Sequence, residues 1–185
     1  MRRTPVLRLL GDHLANGLGE HEALMTRRTI AFVESEVHCL ERDCIQGHLT
    51  GSAWVISPDR RRVLLTHHQK LDKWLQLGGH ADGDSDLAAV ALREAGEESG
   101  LENLRLLRTD IFDEDVHEIP ARGLVPAHVH YDLRFLIEAN PATPLIVTSE
   151  SRDLQWVVLE KVRHLHHEES LGRLVRKTGC LNTVM

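Results

Sequence analysis

The chain has 185 residues and a formal net charge of −6, with 42% hydrophobic and 27% charged residues. This length fits one core domain plus an extension, and the composition is that of an ordinary globular protein. The acidic balance excludes sequence-independent binding to nucleic acid, which needs a basic surface. No apolar run approaches the roughly 20 residues of a membrane span.

Charged residues interrupt the start of the chain too soon for the apolar region of a signal peptide. The three cysteines are odd in number and not densely spaced. Both features favour reduced thiols and a cytoplasmic location. Residues 4–42 have the apolar spacing of helices, with a Gly-Leu-Gly break before a second helix over 20–40. We expect a helical hairpin, which forms an N-terminal extension over residues 1–46. It packs either on the main domain or on a second subunit, so a homodimer is an open alternative.

From residue 47 the pattern changes to short strands separated by turn residues, which predicts one domain over 47–185. A helix over 85–99 is expected to be capped by Ser85 or Asp84 and to end before Gly100. Strands alternating with a few helices predict an α/β (α+β) fold with a mixed sheet between helices. The remaining predicted elements are strands over 49–57, 62–67, 74–77, 104–116, 128–139 and 154–159, and a closing helix over 168–177.

The predicted helix over 85–99 carries three acidic residues, Glu94, Glu97 and Glu98. Residues three and four apart share a helix face, so the three carboxylates converge on one spot. Carboxylates gathered in this way repel one another unless a cation sits among them, and their oxygens suit a hard ion such as Mg²⁺ or Mn²⁺. The competing interpretation is an acidic, solvated helix face.

The segment from Gly79 to Leu101 resembles the signature of the Nudix hydrolases: a glycine, five residues, a glutamate, seven residues and then R-E-U-x-E-E-x-G-U, where U is apolar. Seven residues are in register, and Ser85 stands where the first signature glutamate belongs. The resemblance implies an α/β/α sandwich and metal-dependent hydrolysis of a diphosphate in a small phosphorylated substrate. The matching residues are Gly79, Arg93, Glu94, Glu97, Glu98, Gly100 and Leu101.

The resemblance also implies roles for individual residues. Glu94, Glu97 and Glu98 would hold the divalent ions, and Arg93 would brace the Glu97 carboxylate from one turn away. The general base is open between Glu98 and Glu150, since many Nudix enzymes take it from the loop before a late strand. Candidate contacts to the substrate are Gly79, in the turn before the helix, His67, in a basic loop, and Arg134.

The predicted strand over 128–138 alternates between an apolar face and a polar face, and the polar face carries His128, His130, Asp132 and Arg134. Alternate side chains on a strand lie side by side, so a His-x-His pair suits a metal. The alternatives are contact with substrate phosphates and a solvated sheet face. His117 is a further candidate at the border of the same cleft.

A second resemblance concerns the isopentenyl diphosphate isomerases of the same superfamily, which have a second metal site. Their ligands include a histidine directly after the signature glycine, as His80 is here, and one on the first strand of the domain, near His48. The later ligands correspond to His128 and His130, so these four histidines are a candidate site for a second, transition metal. The isomerase cysteine is replaced by Gly78, which disfavours isomerase chemistry.

Three functional readings therefore remain open. The first is a metal-dependent hydrolase that cleaves a diphosphate linkage in a nucleoside diphosphate derivative or a similar small molecule. The second is a catalytically weak or inactive binding protein of the same fold, which the serine at position 85 favours. The third is isomerase-like chemistry on prenyl diphosphates. Neither nucleic acid nor a membrane is an expected partner.

Overall fold

The computed structural model describes residues 2–149, 151–165 and 169–181. Within this part of the chain, none of the helices combines the length and apolar character that crossing a membrane requires. The elements in chain order are α1 (Arg3–Ala15), α2 (Glu20–Ser35), β1 (Gly47–Ile56), β2 (Arg62–His68), β3 (Lys73–Leu75), β4 (Leu77–His80), α3 (Leu87–Ser99), β5 (Arg105–Leu106), β6 (Asp113–Ile119), β7 (His128–Glu138), β8 (Ser151–Val158), α4 (Leu159–Leu165) and α5 (Glu169–Leu181).

The described residues divide into two compact units, and β1, α3 and β7 contribute residues to both. The first unit contains residues 2–52, 78–91 and 108–135, and the second contains the other described residues. The predicted helical hairpin, α1 and α2, belongs to the first unit. The division at residue 47 into an extension and a domain remains a prediction.

In the first unit, the helical hairpin packs through apolar side chains on the strands that follow it. Phe32 on α2 stacks on Tyr131 of β7, with ring centroids 4.1 Å apart and an interplanar angle of 6°. β6 and β7 pair antiparallel, from Asp113 opposite Arg134 to Ile119 opposite His128. β4 pairs with β1.

In the second unit, β2 is the central strand, with β8, β3 and the end of β1 as antiparallel partners. The Trp54 indole donates a hydrogen bond of 2.8 Å to the Thr178 hydroxyl, which anchors α5. Buried Trp nitrogens usually find such a partner.

β1 and β7 are neighbouring strands that run parallel. In the first unit the Val129 amide donates to the Gln46 carbonyl, and in the second the Ala139 amide donates to the Ile56 carbonyl. Parallel and antiparallel pairs together make a mixed sheet, which confirms the predicted α+β fold class with a helical N-terminal region.

Several predicted boundaries are wrong. The strand predicted over 104–116 is two strands, β5 and β6, with an irregular segment between them. The closing helix is α5, which extends to Leu181, and α4 precedes it where no helix was expected. α2 ends at Ser35, because Glu36 leaves the helical conformation.

A buried polar cluster lies between the helical hairpin and β6. His13 Nε2 and Glu22 Oε1 are 3.0 Å apart, and Glu114 on β6 is fully buried. Burial raises the pKa of the Glu114 carboxyl to about 7, although the nearby Thr26 and Thr29 hydroxyls oppose the shift. Glu114 therefore keeps its proton in the folded protein over a range where the unfolded chain has lost it.

We expect Glu114→Gln to make the protein more stable at pH 8 and to change little at pH 4.5. The pKa of Glu114 is raised on folding, so its stability contribution is complete below the unfolded value of about 4.5 and is lost as pH rises through about 7. The full loss is on the order of 3 kcal/mol, and the glutamine does not suffer it. Urea unfolding of both proteins at several pH values measures the difference, with exposed Glu102→Gln as the control. Parallel pH profiles for wild type and Glu114→Gln would contradict the burial argument.

Candidate active site

The N-terminus of α3 is capped by Asp86. Its carboxylate accepts the Ala89 amide at 3.0 Å, whereas the Asp84 carboxylate accepts the Asp86 amide at 2.9 Å, in a turn before the helix. The predicted cap, Ser85 or Asp84, is therefore wrong by one or two residues. At the other end Gly100 has a φ of +72° and its amide bonds to the Gly96 carbonyl, which is the expected C-terminal glycine conformation.

The acidic residues of α3 lie around one arginine. Arg93 Nη1 is 2.7 Å from the Glu94 carboxylate and 3.4 Å from the Glu97 carboxylate, so a single guanidinium contacts both. Among the described residues, the compact group of possible metal ligands consists of histidines and does not include Glu94, Glu97 and Glu98. Like charges repel, and Arg93 compensates two of the three in their present arrangement.

The close approach of β4 to β1 requires a glycine at position 78. Gly78 has a φ of +156°, and a Cβ atom there would lie 2.4 Å from the Ser52 hydroxyl. A cysteine could not be placed at this position without moving the neighbouring strand. The backbone thus gives a physical reason for the glycine that the sequence shows in place of the isomerase cysteine.

His67, a predicted substrate contact, is held within the second unit. Its ring stacks on Trp74 with centroids 5.0 Å apart, and its Nε2 is 3.1 Å from the Asp72 carboxylate. Its contact with substrate, like that of Gly79 on β4, remains a prediction. Glu150, one of the two candidate bases, lies outside the described residues.

Four histidines of the first unit come together: His48 on β1, His80 at the end of β4, and His128 and His130 on β7. The His48 ring centroid is 4.8 Å from that of His80, 5.0 Å from His128 and 4.8 Å from His130. Ligand atoms of His48, His128 and His130 all lie within 4.8 Å of one another. The histidines that the sequence singled out are therefore neighbours in space.

The innermost imidazoles are neutral at pH 7. Burial lowers the pKa of His48 to about 4 and that of His130 to about 3, and neighbouring imidazoles add to both shifts. A neutral imidazole has a lone pair to offer, which is the form that binds a metal. His117 on β6 lies opposite His130, with ring centroids 5.5 Å apart, and is exposed.

Next to the histidines, Arg134 is surrounded by carboxylates. The residue is 2% exposed, and its guanidinium donates to Asp132 at 2.8 Å, Asp113 at 3.1 Å and Asp115 at 3.3 Å. This corrects the prediction that Arg134 binds substrate, because a guanidinium enclosed in this way is not presented to a ligand. The sequence pattern does not point to Asp113 and Asp115, which are cross-strand neighbours of Arg134 and Asp132.

Asp132 connects this ion cluster to β1. The Thr50 and Ser52 hydroxyls donate to its Oδ1 at 2.8 and 2.7 Å. Burial opposes ionisation of Asp132, but the Arg134 guanidinium and the Ser52 hydroxyl hold its pKa below the usual range. The alternating Thr-Gly-Ser of β1 was the available sequence signal for these partners.

A protein-family model, described as the NUDIX domain, matches residues 48–177. The chain belongs to the Nudix family. Its enzyme class is accordingly that of the Nudix-type pyrophosphohydrolases, which confirms the first resemblance. The resemblance of the four histidines to an isomerase metal site stays a prediction.

Solved structures agree on the fold. A C. elegans Ap4A hydrolase in a binary complex superposes with a TM-score of 0.60 at 19% identity, covering 74% of this chain and 98% of that one. A Nudix-family hydrolase from Clostridium perfringens superposes with a TM-score of 0.53 at 24% identity, covering 72% of this chain and 97% of that one. The E. coli dihydroneopterin triphosphate pyrophosphohydrolase superposes with a TM-score of 0.54 at 15% identity, covering 70% of this chain and 92% of that one. A search of curated proteins by sequence found no match.

We expect Arg134→Met to destabilise the protein by about 3–5 kcal/mol, because it leaves buried carboxylates without their counter-ion. The matched control is Arg105→Met. Arg105 on β5 pairs with Glu138 on β7, the strand that also carries Arg134. The Arg105 side chain is 67% exposed, so the loss of stability there is about 1 kcal/mol or less. Chemical denaturation measures both. Equal stability of the two variants would show that the Arg134 cluster is not a structural centre.

Proposed function

We propose that this protein hydrolyses a diphosphate linkage in a nucleoside diphosphate derivative or a similar small molecule, using Mg²⁺ or Mn²⁺. The observation that carries the proposal is the Arg-Glu-x-x-Glu-Glu set on α3, inside the region that the family model matches. Three carboxylates on one rigid helix are the oxygen donors that hard cations take, so the donor chemistry fits.

Each residue of the set has a proposed role. Glu94, Glu97 and Glu98 hold the cation, which when bound polarises the phosphoryl oxygens and offsets developing negative charge. Arg93 positions the carboxylates of Glu94 and Glu97 through its contacts with both. Either Glu98 or Glu150 accepts the proton of the attacking water. Gly79 and His67 are proposed contacts to the substrate.

The substrate is proposed only as a chemical class. The structural neighbours include proteins named as hydrolases of Ap4A and of dihydroneopterin triphosphate, both of which contain phosphate–phosphate anhydrides. Their low identity makes them a guide to the compounds worth testing. A panel of nucleotide sugars, ADP-ribose, dinucleotides, dinucleoside polyphosphates and nucleoside triphosphates covers the class.

A ligand-binding protein without turnover is the second candidate, because Ser85 provides no carboxylate where the signature has one. The same panel separates the two. Release of phosphate-bearing products that depends on Mg²⁺ or Mn²⁺ supports the hydrolase. Saturable binding of a panel compound without product supports the binding protein.

On a substrate identified in this way, we expect Glu97→Gln to lower kcat by roughly 100-fold or more, because the amide removes a charged ligand of the cation. The fold should be retained, since the Glu97 side chain is 62% exposed. Glu102→Gln, just beyond α3, is the control for losing an exposed carboxylate. Turnover of Glu97→Gln at the wild-type rate would exclude the α3 carboxylates as the catalytic metal site.

A further inference from the structure

The four histidines described above form a ligand set that shares no residue with the α3 carboxylates. They come from three strands of the first unit: β1, β4 and β7. His48 is the centre of the group, with a ring centroid within 5.0 Å of each of the other three. The proposed hydrolysis makes no use of them.

The buried ring nitrogens of His48 are candidates for binding a ligand. The residue is 2% exposed, and among the described residues neither of its ring nitrogens has a hydrogen-bond partner of good geometry, although the Cys44 backbone lies near enough to favour the protonated ring. Buried polar groups are nearly always paired, and an unsatisfied one costs about 1–3 kcal/mol. The aromatic rings next to it are those of His80, His128 and His130, and imidazole nitrogens are common metal ligands.

The distance between the two β7 nitrogens matches a shared ion. His128 Nε2 and His130 Nε2 are 3.2 Å apart. Two nitrogens bound at 2.0–2.1 Å to one tetrahedral Zn²⁺ would be about 3.3 Å apart. His128 Nδ1 lies 2.9 Å from the Pro126 carbonyl, the kind of second contact that orients a ligating imidazole. A hydrogen bond between the two nitrogens would account for the same distance, but it would leave His48 unsatisfied.

The backbone brings β1 and β7 unusually close at this point. Gly47, next to His48, has a φ of +146°, and a Cβ atom there would lie 2.3 Å from the carbonyl oxygen of Val129. Three residues further along each strand, Thr50 and Asp132 are joined by a hydrogen bond of 2.8 Å. The relative positions of His48, His128 and His130 are thus fixed by the protein before any ion binds.

We propose that His48, His80, His128 and His130 bind one transition-metal ion of the Zn²⁺ class, as a site separate from the hard-cation site of α3. Imidazole nitrogens favour Zn²⁺, Co²⁺, Ni²⁺ or Fe²⁺ over Mg²⁺, which prefers oxygen. Four protein ligands fill a tetrahedral ion and leave no position for water, so the ion stabilises the first unit and does not activate a nucleophile.

The test uses the full chain and the metal itself. Protein purified without chelator should contain about one equivalent of transition metal, and protein stripped by chelator should regain it. Adding Zn²⁺ to the stripped protein should raise the thermal midpoint by roughly 5–10 °C at saturation, whereas Mg²⁺ at the same concentration should not. Co²⁺ should give the intense visible absorption of a tetrahedral site.

Two variants make the assignment specific. His128→Gln/His130→Gln should lose the Zn²⁺-dependent shift and the cobalt absorption, while exposed His38→Ala keeps both. Because a core substitution can unfold the chain, His128→Gln alone, at a half-buried position, provides a milder version. A wild type without a Zn²⁺ shift, an equal shift with Mg²⁺, or an undiminished shift in the double variant would each overturn the proposal.

The readouts are independent of hydrolysis. Glu97→Gln should retain the Zn²⁺ shift in full, because its carboxylate belongs to the other ligand set. Loss of hydrolysis with an intact Zn²⁺ shift therefore bears on the proposed function alone, and loss of the shift with intact hydrolysis bears on the histidine site alone.

Discussion

The buried ion cluster around Arg134 is the interaction on which the first unit depends. One guanidinium bonds to Asp132 of its own strand and to Asp113 and Asp115 of β6, and Asp132 accepts hydroxyl hydrogen bonds from β1. Three strands are thereby fixed to one another by charges that are largely removed from water. Such a cluster tolerates little displacement, because a buried charge without its partner costs several kcal/mol. His48 lies two residues from Thr50 on β1, and His130 lies two residues from Asp132 on β7, so these two histidines share this rigidity.

The chain has two proposed ligand sets of different chemistry. The carboxylates of α3 lie on a helix with Arg93 among them, and they offer oxygen to hard ions that also bind phosphate. The four imidazoles lie on strands, and burial holds the inner ones neutral. Ligand type separates the ions that each set prefers, so the two can coexist without competing for one metal. We propose that the α3 carboxylates serve the hydrolysis reaction and that the four histidines serve the stability of the first unit.

The sequence predicted best what depends on local spacing. The helix that carries Glu94, Glu97 and Glu98 follows from the helical period, and the proximity of His128 and His130 on β7 follows from the alternation of a strand. The sequence did not predict contacts between residues that are far apart in the chain. Arg134 was interpreted as a substrate contact because its strand face is polar, but Asp113 and Asp115 come from another strand, 21 and 19 residues away. The helix cap was misplaced because several neighbouring polar residues could each have served.

The amino-acid sequence by itself determined the family and the fold class and led to both proposed ligand sets, because each is carried by residue types at fixed short spacings. Only the tertiary structure decided how those residues are used. It enclosed Arg134 among carboxylates, brought His48 and His80 to the β7 histidines, and excluded any side chain at Gly78. Burial and strand pairing act between residues that are far apart in the chain, and short-range patterns do not report them.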